Sequence, residues 1–85
     1  MTETSAADLG RLRWRCRRGM KELDALLVDW LDAEWVGADA VSRAAFERLL
    51  EREDSDLWRW FTGRDAPPDH EERALVESIR AARHA

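Results

Sequence analysis

The chain has a single cysteine, Cys16, among its 85 residues. That excludes an internal disulfide framework and fits a reducing compartment. It also leaves no structural zinc set, because the thiol stands alone and the two histidines, His70 and His84, lie far along the chain. No apolar run approaches the ~18 residues that span a bilayer. The first residues, Met1-Thr2-Glu3-Thr4-Ser5, are polar and acidic and lack the basic and apolar regions of a secretory signal. The four glycines are isolated, so there is no Gly-rich phosphate loop. No segment alternates with period two on β-branched residues, so strands are not expected. Repeats, low-complexity tracts and linkers are also missing. These absences predict a cytoplasmic, metal-free domain with no direct membrane insertion.

What is there begins with size and charge. A chain this short is near the lower limit for folding alone, and a 45% hydrophobic content allows a modest core. A single domain over residues 1–85 is expected, with its ordered core over about 6–83. The net charge of -4 hides an asymmetry. Of 14 basic residues, six (Arg11, Arg13, Arg15, Arg17, Arg18, Lys21) fall within residues 11–21, where there is no acid. The other eight face all 18 acids. Such segregation fits an electrostatically marked binding face, and equally an acidic bundle that pairs its acids with one basic helix.

Helix formers dominate, and five helices can be placed. The first runs from about Ala6 to Arg18, with Leu9, Leu12 and Cys16 on one face; Gly19 ends it at a positive-φ position. The second runs from about Met20 to Trp35 with a stripe of Met20, Leu23, Leu27, Trp30 and Leu31. Asp39 caps a third helix carrying Ala45, Phe46, Leu49 and Leu50. Asp54 caps a fourth, with Leu57, Trp58, Trp60 and Phe61. Asp69 and Glu72 have the spacing of a capping box for a fifth, which carries Leu75, Val76, Ile79 and Ala82 and ends near Arg83. None of these helices is stable alone in water, so packing must hold them. The fold class predicted is all-α, a compact five-helix bundle.

At 100° per residue, Arg11, Trp14 and Arg18 share a face of the first helix that points away from Leu9, Leu12 and Cys16. Trp14 is therefore an aromatic among arginines, either packed on a neighbouring helix or presented to a partner. Glu22 lies opposite the apolar stripe of the second helix and should be exposed, where the helix dipole already favours it. Asp24 lies at the stripe's edge and needs a donor, a structural hydrogen bond or ion pair with the arginines before it. Gly19 can cap a helix, let another backbone approach, or do both. Catalytic candidates are few. His70 and His84 have no evident partner, Cys16 reads as a buried thiol, and no serine has a nucleophile's surroundings.

The run Arg11-Leu12-Arg13-Trp14-Arg15-Cys16-Arg17-Arg18-Gly19-Met20-Lys21-Glu22-Leu23-Asp24 resembles the signature of the succinate dehydrogenase flavinylation and assembly factors, the SdhE family. Their motif Arg-Gly-x-x-Glu appears as Arg18-Gly19-Met20-Lys21-Glu22. Phe46-Glu47-Arg48-Leu49-Leu50-Glu51 followed by Asp54-Ser55-Asp56-Leu57-Trp58-Arg59-Trp60 looks like the family's second block. The similarity runs from about Arg11 to Ala82. It implies a five-helix fold and a chaperone rather than an enzyme. Such a factor binds the flavoprotein subunit of succinate dehydrogenase, and in bacteria also that of fumarate reductase, and promotes covalent attachment of FAD to it. By this resemblance Arg11, Trp14, Arg18, Gly19, Met20, Lys21 and Glu22 form the partner-binding surface, with Asp24 as its structural support. Nothing resembles a dinucleotide site, so no cofactor is expected to be held stably; the FAD is the partner's. The free chain is expected as a monomer or weak homodimer.

The rival is an arginine-rich nucleic-acid-binding or antitoxin-like regulatory module, since Arg11 to Lys21 also reads as a basic helix with an aromatic for stacking. The acidic remainder repels phosphates, which speaks against nucleic acid as the partner.

Overall fold

A computed structural model describes residues 5–84. Met1-Thr2-Glu3-Thr4, read as polar and without the features of a secretory signal, lie outside the described residues. Five helices follow one another: α1 (Ala6–Arg15), α2 (Lys21–Glu34), α3 (Ala40–Leu50), α4 (Asp54–Phe61) and α5 (His70–His84). Among the described residues there is no strand, so the all-α, five-helix expectation holds. None of these helices is long and apolar enough to cross a membrane. The chain divides into two compact units, Met1–Gly37 and Ala38–Ala85.

In the first unit, α1 starts at Ser5, whose Oγ accepts from the Asp8 backbone N–H at 3.1 Å. The Ser5 hydroxyl in turn donates to Asp8 Oδ2 at 2.9 Å. This Ser-x-x-Asp cap is legible in the sequence as a helix start just ahead of α1. α1 buries Leu12, and Cys16 follows as its buried C-cap. α2 buries Leu23, Leu26, Leu27, Trp30 and Leu31, an i, i+3, i+4, i+7, i+8 stripe. Met20, expected in that stripe, is only half-buried. Trp30 meets the buried Trp35 edge to face, centroids 6.3 Å apart and rings at 84°. The Arg13 guanidinium forks onto the Asp32 carboxylate and so ties α1 to α2; its Nη1 lies 3.2 Å from Oδ2.

The second unit is built on α3 and α5. Asp39 caps α3 as expected, accepting from the Ser42 N–H at 2.8 Å. Asp69 caps α5, accepting from the Glu72 N–H at 2.9 Å. Glu72 does not complete a reciprocal box. Its side chain is 1% exposed and receives Arg52 Nη2 at 2.7 Å and Nε at 2.9 Å. Arg48 reaches both Glu72, at 3.4 Å, and Asp69, at 3.0 Å. Two guanidiniums thus neutralise one buried carboxylate and join α3 to the start of α5.

Two boundaries differ from expectation here. Asp54 is the first helical residue of α4 rather than its cap; the chain enters through an extended Glu53 with no side-chain cap bond. Ala82 is exposed rather than part of the α5 stripe, whose buried positions are Leu75, Val76 and Ile79. Its small side chain gives little reason for burial near a helix end. Trp58 is half-buried beside the buried Leu57, Trp60 and Phe61.

Candidate functional site

The candidate site lies wholly in the first unit, at the join of α1 and α2. α1 stops earlier than its periodicity predicts. The Cys16 N–H is shared between Leu12 and Arg13 carbonyls, both at 3.1 Å, and the Arg17 N–H closes a tighter turn on Trp14 O at 3.1 Å. The Trp14 carbonyl thus accepts at i+3 rather than i+4, and the Arg18 N–H leaves the α-helical pattern. That N–H donates instead to Asp24 Oδ1 at 2.7 Å. A carboxylate in the first turn of α2 thereby holds the backbone of the preceding loop, six residues away.

The early stop corrects one expectation. Arg18 lies outside the helix, so Arg11, Trp14 and Arg18 do not share one helical face. On α1 itself the neighbours are Arg11, Trp14 and Arg15, at i, i+3 and i+4. Gly19 likewise is not the residue after the α1 cap, which is Cys16. It has φ +89, three residues further on, in the loop that returns the chain to α2. An L side chain rarely takes that conformation. Nothing lies within 4 Å of where a Cβ would be at Gly19. Backbone geometry therefore calls for glycine here; internal crowding does not.

The side chains around this loop divide by accessibility. Trp14 is 69% exposed. Lys21 and Glu22 are exposed at the start of α2, while Arg18 and Met20 are half-buried. Met20 is the α2 N-cap and offers no side-chain cap bond. Glu22 makes no ion pair or hydrogen bond through its carboxylate among the described residues, although the helix dipole suits an acid there. Arg11 is engaged by Asp8, one turn earlier, and Arg13 by Asp32. Arg15, Arg17 and Lys21 are exposed and carry no ion pair among the described residues. Arg15 and Arg17 were read only as part of the charge run. Neither has an acid at i±3 or i±4, but the same is true of Arg13, which α2 supplies with Asp32, so local spacing does not separate paired from unpaired arginines here.

The chemistry available is that of a contact surface. Burial pushes the Cys16 thiol up to about 11, against the opposing pull of Arg13 and Arg18, so it is protonated at neutral pH and a poor nucleophile. His70 is exposed at the first position of α5, in the other unit. No cluster of His, Cys, Asp or Glu among the described residues could hold a metal.

Comparison with known proteins places this geometry in context. The family model described as flavinator of succinate dehydrogenase matches residues 10–83. A FAD assembly factor SdhE of Methylococcus capsulatus is 49% identical over 72 residues, covering 85% of this chain and 87% of its own. That of Pseudomonas aeruginosa is 46% identical over 72 residues, 85% of this chain and 86% of its own. That of Xylella fastidiosa is 44% identical over 80 residues, 94% of this chain and 82% of its own. The chain belongs to the family of succinate dehydrogenase flavinators.

Proposed function

We propose that this chain is an assembly factor that binds the flavoprotein subunit of succinate dehydrogenase, and that of fumarate reductase where one is present, and promotes covalent attachment of FAD to it. The docking surface comprises Arg11, Trp14 and the loop Arg18-Gly19-Met20-Lys21-Glu22, held in shape by Asp24. One observation carries this reading: the Arg-Gly-x-x-Glu segment is pinned by Asp24 and presents an open position at Gly19, an exposed Lys21 and an exposed Glu22 carboxylate that no internal group engages. Folding makes little use of these side chains, which fits a partner that supplies their contacts.

The factor contributes no acid, base or nucleophile of its own. It favours the conformation of the flavoprotein in which that subunit's residues and its FAD are aligned, by binding that conformation more tightly than others. A tenfold preference corresponds to about 1.4 kcal/mol, within the range of one well-placed aromatic contact. The chain works in the cytoplasm, as a monomer or weak homodimer when free, without holding FAD stably.

Co-expression with the cognate apo-flavoprotein, in cells lacking any such factor, tests the proposal. Denatured products are read for protein-bound flavin fluorescence on a gel. A clear gain in covalent flavin over the factor-free control is expected; equal signal in both lanes refutes the reading.

A further inference from the structure

The loop that closes α1 onto α2 carries more free positive charge than the docking motif itself uses. Arg15 ends α1, Arg17 lies in the five-residue loop and Lys21 begins α2. All three are exposed and none has an ion pair among the described residues. By contrast, Arg11 and Arg13 are occupied by Asp8 and Asp32. Residues 15–22 hold four cations and one anion, in a chain whose total charge is -4. The local field is therefore opposite in sign to that of the molecule.

Resting on the functional reading above, we propose that Arg15, Arg17 and Lys21 steer this loop onto an acidic surface of the flavoprotein subunit, with the exposed Trp14 as the anchor that follows. Exposed ion pairs add little to the affinity of a finished complex. Their reach is longer: at about 0.01 M salt the screening length is ~30 Å, and the three cations act together as one source. Unpaired cations at the rim of an exposed tryptophan thus affect the rate of encounter more than the lifetime of the complex. They also orient an acidic chain. The remainder, eight basic against 18 acidic residues, is repelled by an acidic partner surface, so the loop is the face that arrives first.

The measurement is association of the chain with purified apo-flavoprotein from about 20 to 500 mM salt, resolved into on- and off-rates. The test variant is Arg15→Gln/Arg17→Gln, which spares the docking residue Lys21, breaks no internal pair and should keep its helical circular dichroism. Its on-rate is expected to fall about tenfold at the lowest salt and to meet that of the unaltered chain near 500 mM. Its off-rate should stay within about twofold. Arg64→Gln, which removes an exposed cation of the other unit, should leave the on-rate unchanged. An on-rate for the double variant within twofold of the unaltered chain at low salt overturns the proposal. So does salt-sensitive self-association of the unaltered chain that the double variant abolishes, which would make a second copy the occupant. Salt-sensitive binding of a short single-stranded RNA, with none to the flavoprotein, would substitute nucleic acid and overturn it as well. If the unaltered chain fails to bind the flavoprotein at any salt, the functional reading itself falls; loss of steering alone leaves covalent flavin formation intact at saturating factor.

Discussion

Substitutions at Gly19 separate what the glycine does for the fold from what it does for a partner. At φ +89, an L side chain meets its own backbone, a conformation that costs an ordinary residue about 1–2 kcal/mol. Alanine also restricts the unfolded chain, which returns about 0.4–1 kcal/mol. With nothing within 4 Å of the new Cβ, no packing penalty is added. Gly19→Ala should therefore lose about 1 kcal/mol net, a fall in Tm of about 4–8 °C for a domain of this size. Asparagine tolerates positive φ better than alanine, and valine worse than either. Strain thus ranks Val above Ala above Asn, whereas side-chain bulk ranks Val above Asn above Ala. The two orders cross between Ala and Asn.

The assay pairs thermal unfolding with covalent flavin yield, measured below the onset of unfolding for every variant. If the glycine leaves room for a partner's backbone, Gly19→Asn is the more stable of the two yet supports less flavinylation than Gly19→Ala, and Gly19→Val supports least. If yield follows stability instead, with Ala below Asn, the glycine's role is conformational alone and the contact reasoning fails.

Glu22→Ala should leave helical circular dichroism and Tm nearly unchanged, apart from about 0.3–1 kcal/mol of dipole interaction, while flavin yield drops; unfolding of the variant would make Glu22 a structural residue. Asp24→Ala removes the acceptor of the Arg18 N–H and should cost about 1–2 kcal/mol together with flavin yield, whereas Asp24→Asn, which keeps an oxygen there, should retain more of both in the same assays. Glu72→Ala deletes the carboxylate shared by Arg48 and Arg52, and urea unfolding should show a loss of about 2–3 kcal/mol. Acid should weaken the fold through its caps. The Ser42 N–H holds the Asp39 carboxyl below its ordinary value, and the Glu72 N–H, then Arg48, do so for Asp69. Their contribution is present above about pH 4 and is lost as pH falls through the depressed values. Asp39→Asn/Asp69→Asn, which keeps capping oxygens, should flatten stability measured from pH 5 to pH 2.

The helices were legible because each announces itself by periodicity: 23, 27, 30 and 31 in α2, 45, 46, 49 and 50 in α3, and 75, 76 and 79 in α5 are all buried. The end of α1 was not. Arg17 and Arg18 are good helix formers, and nothing local stops them. The helix closes in a tighter turn through Arg17, and the Arg18 N–H beyond it is held by a carboxylate six residues on, which only α2 presents. Asp24 was expected to find a hydrogen bond or ion pair with the preceding arginines, and the Arg18 backbone N–H provides one such bond. Glu72 was misassigned for a similar reason. Its spacing from Asp69 is that of a capping box, and only the packing of α3 on α5 brings Arg48 and Arg52 close enough to claim it.

The residues proposed to touch the partner share a property that periodicity reads as exposure, without a role. Trp14, Gly19 and Glu22 have little internal work to do: the tryptophan is mostly exposed, the glycine faces open space, and the glutamate engages no neighbour. Folding therefore leaves these side chains largely free to vary, with the conformational demand at Gly19 as the exception. Asp24 differs, since it is half-buried and bonded, and folding and docking constrain it together. A substitution series should accordingly split: at Trp14 and Glu22, flavinylation falls at nearly constant stability, while at Asp24 the two fall together. Two positions in the same turn, Glu22 and Asp24, would then give opposite answers to whether function can be lost without unfolding, because one carboxylate faces outward and the other holds the loop.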